Sequence, residues 1–207
     1  MKRFLALLLV CLLLTGCAAN SPAETPAETP TEEVTAEEKP AAEEESEVPA
    51  EEAAEEPLYL GTFSAQSLTG ETVNESIFSE ADLTVINLWA TYCGPCKQEM
   101  PILGTLDREL ENVQILGIVT DVIDQQGEPD ENQVALALEI MEACSCDYPS
   151  LILNQDLAYL GFASLQAVPA TLFVDSEGYL AGLGFYGALD EDGWRQVIAE
   201  RLEMVQQ

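Results

Sequence analysis

The sequence predicts an α/β domain over residues 58–207, because strand-like and helix-like segments alternate along this part of the chain. Residues 83–90 are apolar on both faces, which is the pattern of a strand in the middle of a sheet. A C-x-x-C motif, Cys93 to Cys96, follows where this strand gives way to a helix. The region is long enough to bury a core of its own.

The first elements of this domain are predicted to be a small hairpin and a short helix. Residues 60–65 and 72–73 have strand character and are joined around Thr69-Gly70, a dipeptide typical of turns. Residues 75–81 follow as a short helix and lead into the central strand.

The remaining elements alternate in the same way. Apolar residues at helical spacing indicate helices, short apolar runs indicate strands, and the turn at residues 176–178 indicates a second hairpin. A helix from residue 94 to about 111 contains Pro101, where we expect a kink or a restart. The other predicted elements are a strand at 113–120, a helix at 129–144, a strand at 151–153, a short helix at 157–162, strands at 170–175 and 179–185, and a helix at 191–204.

The placement of Cys93 at the start of a helix favours redox chemistry. Unpaired backbone N–H groups and the positive end of the helix dipole favour its thiolate over its thiol. Cys96 lies one turn further on the same face, within reach of a disulfide. A structural zinc site needs about four ligands and the chain has no histidine, so we expect neither a metal nor a cofactor.

Two buried structural cysteines are the other alternative for this motif. They would not require the Gly94-Pro95 dipeptide that stands between them. Pro95 suits the first helical turn, where its missing donor costs nothing, and Gly94 leaves the reactive sulfur uncovered. The motif is therefore interpreted as a redox site.

The amino terminus predicts export from the cytoplasm. A basic region at residues 1–3 precedes the apolar stretch 4–14, which is too short to span a bilayer and is typical of a signal peptide. The sequence L-T-G-C at 14–17 resembles the lipobox of bacterial lipoproteins. That resemblance implies removal of residues 1–16 and lipidation of Cys17, with the protein held on the extracytoplasmic side of the cell membrane. An ordinary secretory signal is the alternative.

Residues 17–57 are predicted to be a lipidated cysteine followed by a disordered tether. The stretch consists almost entirely of Ala, Glu, Pro, Thr and Ser, with Lys39 as its only basic residue. Low hydrophobicity with many like charges leaves nothing to offset the chain entropy lost on folding. Such a tether would let the domain search the nearby surface; a role in solubility alone is the alternative.

The formal net charge of −31 argues against nucleic acid as a partner. An acidic surface also repels anionic lipid headgroups, so we expect the membrane to be reached through the lipid on Cys17 and not through a face of the domain. The basic residues beyond position 57 are Lys97, Arg108, Arg195 and Arg201.

Pro169 stands immediately before the predicted strand at 170–175. With it, the order of elements resembles the thioredoxin fold, a mixed central sheet flanked by helices in which this proline is cis and packs opposite the cysteine pair. Within that fold, residues 58–207 resemble the TlpA/ResA group of membrane-anchored thioredoxin-like proteins. The resemblance rests on the amino-terminal hairpin, the segment N-L-W-A-T-Y-C-G-P-C-K at 87–97, the acid Glu99, and the helical insertion before the proline.

The resemblance implies a role for each site residue. Cys93 is the attacking sulfur, Cys96 resolves the mixed disulfide, and Pro169 shapes the substrate groove and keeps other cysteines away. Glu99 tunes the thiols and relays a proton, with a solvated first-turn acid as the alternative. Support for the active site is expected from Trp89, Tyr92, Gly94 and Pro95.

Two positions depart from the pattern of cytoplasmic thioredoxin. Asn87 stands where that protein has a buried aspartate, so this residue cannot act as a base. Tyr92 replaces the usual tryptophan, a modest change in the groove surface. Trp89 is expected to pack in the core and support the cysteines rather than to bind substrate.

The Gly-Pro dipeptide between the cysteines is that of thioredoxin, whose potential of about −270 mV favours a reductase. The resemblance implies disulfides of exported proteins as substrates, apocytochrome c among them, and a thiol-reducing membrane protein as electron donor. A thiol-dependent peroxidase, that is, an antioxidant of the same fold, is one alternative, but its cysteine lies in a loop with Thr and Arg nearby. A metal-delivery module and a tethered domain with an idle disulfide are the others.

Cys144 and Cys146 fit no motif of the family. They end the predicted helix at 129–144, and residues two apart on a helix point to nearly opposite sides. A bond between them therefore requires the helix to have unwound at Ser145. Two unpaired buried thiols, a strained local disulfide and an accessory pair exchanging with Cys93 and Cys96 remain open.

Overall fold

The computed structural model describes residues 58–206; the predicted signal peptide, lipidated cysteine and tether lie outside the described residues. Its strands are β1 (Ser64–Gln66), β2 (Thr72–Asn74), β3 (Leu83–Trp89), β4 (Val113–Val119), β5 (Ser150–Ile152), β6 (Ala170–Asp175) and β7 (Phe185–Tyr186). Its α-helices are α1 (Gly94–Glu109), α2 (Glu131–Ala143), α3 (Gln155–Tyr159) and α4 (Glu191–Val205), with 3-10 helices at Glu75–Glu80 and Phe162–Ser164.

The sheet is mixed, with β3 at its centre. β3 runs parallel to β4 and antiparallel to β6, and the full order is β5-β4-β3-β6-β7. β1 and β2 pair as a separate antiparallel hairpin. The predicted central strand and first hairpin are confirmed, although β1 begins four residues later than expected.

Every residue of β3 is buried, because both faces of the sheet are covered. Since side chains alternate along a strand, Val85 and Trp89 pack in one apolar cluster with residues of α1 and α4. Ile86 and Leu88 pack in a second cluster with the hairpin, the first 3-10 helix and α3. Among the helices of residues 58–206, none has the length and apolar character needed to cross a membrane.

Of the kink or restart expected at Pro101 in the helix that follows the cysteine motif, the restart does not occur. α1 runs through this proline without a restart and ends at Glu109, two residues earlier than expected. Proline has no N–H to give to the carbonyl oxygen of Lys97, four residues before it. The thiol of Cys144 lies 3.7 Å from that oxygen and supplies a donor.

Two other predicted elements are interrupted, in both cases at glycine. The helix expected at 157–162 is divided by Gly161, whose left-handed backbone separates α3 from a 3-10 turn. The strand expected at 179–185 is present only as two isolated bridges, from Tyr179 to Tyr59 and from Leu180 to Val174, and as β7. Gly182, at a φ of 79°, breaks the strand between them.

At Gly104, α1 packs tightly against the segment that ends α2. A β-carbon at this position would lie 2.7 Å from the carbonyl oxygen of Ser145. The same oxygen accepts a hydrogen bond of 2.9 Å from the Arg108 guanidinium. The absence of a side chain at Gly104 therefore sets how tightly this segment packs against α1.

Gly104→Ala should destabilise the protein by up to about 2 kcal/mol. Overpacking against a backbone oxygen costs about 1–3 kcal/mol, which outweighs a gain in helix propensity of about 1 kcal/mol. Denaturant unfolding of the oxidised protein measures the change. Gly94→Ala is the matched control on the same helix, because an added β-carbon there meets nothing within 4 Å. Equal stability of the two variants would contradict the argument.

Candidate active site

Cys93 and Cys96 form a disulfide at the amino-terminal end of α1, as the motif predicts. Cys93 is the N-cap residue, and its sulfur accepts a hydrogen bond of 3.2 Å from the backbone N–H of Cys96. Cys96 is completely buried, whereas Cys93 keeps 5% of its surface exposed. An incoming molecule therefore meets the sulfur of Cys93 first.

The loop between β3 and α1 is held by its neighbours. Thr91 donates from its backbone N–H and from its hydroxyl to the carboxylate of Asp121, at 3.0 and 2.6 Å. The ammonium of Lys97 donates to the carbonyl oxygen of Thr91 at 3.0 Å, which brings a cation to this loop. Asp121 was not identified from the sequence; its place just after β4, beside the end of β3, is the signal that could have revealed it.

The four residues expected to support the site occupy different environments. Trp89 is buried in the cluster that contains both cysteines, and its indole N–H donates to the hydroxyl of Ser150 at 2.9 Å. Tyr92 is 75% exposed beside Cys93. Gly94 and Pro95 open the first turn of α1, where Gly94 leaves open space above the helix. Trp89 is thus a core residue, and Tyr92 is a surface residue next to Cys93.

Pro169 follows a cis peptide bond, as expected. Because Ala170 pairs with Leu88, Pro169 lies level with the end of β3, the end from which the cysteine loop departs. Val168 packs against the cluster that contains both cysteines. The topology thus brings the proline and the disulfide to the same edge of the sheet.

A groove of about 240 Å³ lies at this edge. Tyr92 and Val168 line it, together with Leu88 and Phe162. Neither cysteine lines the groove itself, but Tyr92 precedes Cys93 and Val168 precedes Pro169, whereas two larger cavities, of about 630 and 770 Å³, are lined by neither of these neighbours. The smaller groove is the one next to the chemistry.

Glu99 lies on the buried side of α1 and is only 1% exposed, so it is not a solvated helix acid. The amide of Asn87 donates to its Oε1 at 3.0 Å, and the backbone N–H of Leu189 donates to its Oε2 at 3.3 Å. Burial raises the pKa of Glu99 from 4.5 to about 7, and the two hydrogen bonds oppose this rise only in part. The carboxyl group therefore titrates near neutral pH.

Three further polar atoms lie buried around this carboxylate region without a hydrogen-bond partner among the described residues: Oδ1 of Asn87, Oγ1 of Thr171 and Nε1 of Trp194. Asn87 and Thr171 stand opposite each other on β3 and β6. The indole N–H of Trp194 helps to lower the pKa of Glu99, but its geometry falls short of a hydrogen bond. Asn87 is a polar residue in the middle of an apolar strand, and this is the sequence signal that could have identified it as the partner of Glu99.

Comparison with known proteins agrees with this geometry. The chain is 28% identical over 134 residues to a thiol:disulfide interchange protein DsbE from Pseudomonas fluorescens biotype C, which covers 62% of this chain and 67% of that protein. It superposes with a thioredoxin-family thiol:disulfide interchange protein from Chlorobium tepidum at a TM-score of 0.58 and 16% identity, over 70% of this chain and 97% of that one.

A second solved structure is the exposed lipoprotein thioredoxin Etrx1 from Streptococcus pneumoniae. It matches at a TM-score of 0.53 and 20% identity, over 68% of this chain and 99% of that one. These superpositions establish the thioredoxin fold. Residues 60–192 match the AhpC/TSA family. The chain therefore belongs to the AhpC/TSA family, and with its Cys93–Cys96 pair on a thioredoxin fold it is a thiol-disulfide oxidoreductase.

Proposed function

We propose that this oxidoreductase is an extracytoplasmic reductase that transfers electrons to disulfides of exported proteins. The observation that carries the proposal is the asymmetry of the cysteine pair: Cys93, at the helix start, keeps 5% of its surface exposed, and Cys96 is completely buried behind it. This arrangement suits a nucleophile and a resolving thiol. The Gly-Pro dipeptide between them supports the reducing direction, because it is that of thioredoxin.

The reaction begins with the reduced pair. The thiolate of Cys93, stabilised by the N–H of Cys96 and the helix dipole, attacks a substrate disulfide and releases one substrate sulfur as a thiol. Cys96 then attacks Cys93 in the mixed disulfide, and the second substrate sulfur leaves and takes up a proton. Two electrons and two protons pass to the substrate, and the Cys93–Cys96 disulfide results.

Glu99 is proposed as the group that gives or takes up a proton on the buried side of the active site during this exchange. It lies one turn beyond Cys96, and its pKa of about 7 lets it hold or release a proton at neutral pH. Its charge also opposes formation of a thiolate nearby. Asn87 positions the carboxylate through the bond to Oε1.

The groove beside the disulfide is the proposed binding place for the substrate segment. The exposed ring of Tyr92 forms one wall, and the residues before Pro169 form the other. Pro169 is proposed to shape this groove and to keep other cysteines from the disulfide. Apocytochrome c is one proposed substrate.

The proposed place of action is the outer face of the bacterial cell membrane, with a lipid on Cys17 as the anchor. The lipobox-like sequence at 14–17 supports this, and one structural relative is itself described as an exposed lipoprotein. The proposed electron donor is a thiol-reducing protein of the same membrane.

A thiol-dependent peroxidase is the second candidate, favoured by the match to the AhpC/TSA family. The described arginines argue against it. Arg108 and Arg195 make ion pairs with Asp147, Glu109 and Glu191, and Arg201 lies over the ring of Phe173 and donates to the carbonyl oxygen of Leu183. Consumption of hydrogen peroxide by the reduced protein, at a rate exceeding disulfide reduction, would favour this candidate.

Cys93→Ser should abolish reduction of insulin disulfides by the full chain supplied with dithiothreitol, because it removes the accessible nucleophile. Cys96→Ala should retain attack but stop resolution, so that mixed disulfides accumulate. Turbidity measures the first effect, and mass spectrometry of species trapped in the native host measures the second and identifies the substrate. Most of the activity surviving in Cys93→Ser would place the active site elsewhere.

Glu99→Gln should lower the apparent pKa of Cys93 and slow the exchange, because the variant lacks both the nearby negative charge and the proton-carrying group. The pH dependence of Cys93 alkylation and the rate of insulin reduction measure these changes, and Glu99→Asp should change less. Unchanged profiles and rates would assign Glu99 a structural role only.

The stability of the same variant checks the buried carboxyl group independently. A folded pKa raised from 4.5 to about 7 stabilises the protein fully below about pH 4.5, and this contribution is lost as pH rises through 7. The unfolding free energy of the parent protein relative to Glu99→Gln should therefore fall by about 3 kcal/mol between pH 4 and pH 8. A difference that does not vary with pH would contradict the raised pKa.

Cys17→Ala should release the protein from membranes and leave insulin reduction intact, because the variant lacks the thiol that would carry the proposed lipid. Fractionation of cells in high salt and mass spectrometry of the amino-terminal peptide give the result. The anchor proposal fails if the variant still sediments with membranes and the parent protein carries no acyl group.

A further inference from the structure

A second pair of cysteines lies where α2 ends. The N–H of Ser145 bonds to the carbonyl of Glu142, and the N–H of Cys146 bonds to the carbonyl of Met141, which together form a Schellman motif. Ser145 adopts a φ of 55°, the left-handed conformation that ends the helix. The unwinding that a Cys144–Cys146 bond requires is therefore already present.

Both sulfurs face the same helix. The sulfur of Cys144 lies 3.7 Å from the carbonyl oxygen of Lys97, and the sulfur of Cys146 lies 3.3 Å from that of Met100. Lys97 and Met100 are three residues apart on α1, an axial rise of about 4.5 Å. Cys144 and Cys146 thus point to one side and not to opposite sides, in contrast to residues two apart within a helix.

The backbone separation also suits a disulfide. Cα atoms two residues apart lie no more than about 7 Å from each other, and disulfides join Cα atoms at about 4.4–6.8 Å. Both cysteines are present as free thiols. Closing the bond requires rotation of the two side chains away from α1 and no rearrangement of the sheet.

The surroundings provide a donor for a sulfur anion. The hydroxyl of Tyr148 is buried without a hydrogen-bond partner among the described residues, and the side chain is only 3% exposed. It lies close enough to Cys146 to lower the pKa of that thiol. Cys146 and Tyr148 both line the cavity of about 770 Å³ beside α2, so Cys146 is at the wall of an open space.

We propose that Cys144 and Cys146 form a second dithiol-disulfide couple, distinct from the Cys93–Cys96 site, with Cys144 as the attacking sulfur and Cys146 as the resolving one. Cys144 is the more exposed of the two. It attacks a disulfide of a small molecule or protein and releases one sulfur as a thiol. Cys146 then attacks Cys144 and releases the second sulfur. The incoming disulfide gains two electrons and two protons, and the Cys144–Cys146 disulfide forms.

Burial and the nearby charged groups affect the rate of thiol–disulfide exchange at Cys144 and Cys146. Burial raises the pKa of Cys144 above its ordinary value, against the pull of the Lys97 ammonium, and raises that of Cys146 to about 11. Exchange is therefore slow compared with that at Cys93 and begins at Cys144. The groups that act on Cys146, besides burial, are Tyr148 and Arg108, which lower its pKa, and Cys144 and Asp147, which raise it.

The sequence allows this pair to be followed separately. Trypsin cleaves after Arg108 and Arg195, and residues 109–195 contain no cysteine other than Cys144 and Cys146. The full chain with Cys93→Ser and Cys96→Ser is equilibrated in glutathione redox buffers, quenched with N-ethylmaleimide, digested and weighed. The parent chain is treated in parallel, so that the result does not depend on the folding of the double variant.

The expected result is a single two-electron transition. In reducing buffers peptide 109–195 carries two maleimide adducts; in oxidising buffers it carries none, and its mass is two hydrogens below that of the unmodified dithiol peptide. The proposal is overturned if the peptide keeps two adducts in buffers that fully oxidise Cys93–Cys96 in the parent chain. It is overturned equally if only a glutathione adduct forms. Because the double variant lacks the main site, neither result bears on the proposed function.

Single variants test the order of attack and the role of Tyr148. Cys146→Ser should retain one glutathionyl group on Cys144, whereas Cys144→Ser should leave Cys146 unmodified over the same time. Tyr148→Phe should slow closure several-fold without preventing it, with unchanged unfolding by denaturant. Equal glutathionylation of both cysteines would refute the order, and an unchanged closing rate would remove Tyr148 from the couple.

Discussion

The junction between β3 and α1 is the constraint on which the site depends. The central strand ends at Trp89 and the helix begins at Gly94, so the intervening residues must turn and still place Cys93 at the helix N-cap. Hydrogen bonds from Cys93 to Ala90 and from Thr91 to Asp121 hold that turn. The position of the reactive sulfur is thus fixed by the rigid sheet and not by a free loop.

Burial of Glu99 links this junction to the chemistry. An ionised carboxylate in an apolar layer is costly unless it is hydrogen-bonded, and here the amide of Asn87 and the N–H of Leu189 provide partners. They offset the cost in part, which leaves the pKa near 7 instead of 4.5. The same incomplete solvation that weakens the fold at high pH produces a group suited to proton exchange.

The first turns of α1 bring together two pairs of cysteines. Cys93 and Cys96 lie at its amino-terminal end, while Cys144 and Cys146 lie against the carbonyls of Lys97 and Met100. Pro101 leaves the first of these carbonyls without its helical donor, and Gly104 allows the end of α2 to approach. Pro101 and Gly104, the two residues that let Cys144 and Cys146 pack against α1, therefore both lie on that helix.

The sequence by itself determined the alternation of elements, the central strand, the helix that starts at Cys93 and the proline before β6, because apolar periodicity and the local chemistry of cysteine and proline carry these features. The cis form of this proline was implied only by the resemblance to the thioredoxin fold. The breaks at Gly161 and Gly182 were not predicted, since a glycine permits a left-handed backbone without requiring it. At Pro101 the structure excludes the restart, one of the two expected outcomes, because packing can hold a helix across a proline. Only the tertiary structure decided that Glu99 is buried and held by Asn87, and that Cys144 and Cys146 face one helix. These properties depend on distances between segments far apart in the chain, which arise when β3, α1 and the end of α2 pack together.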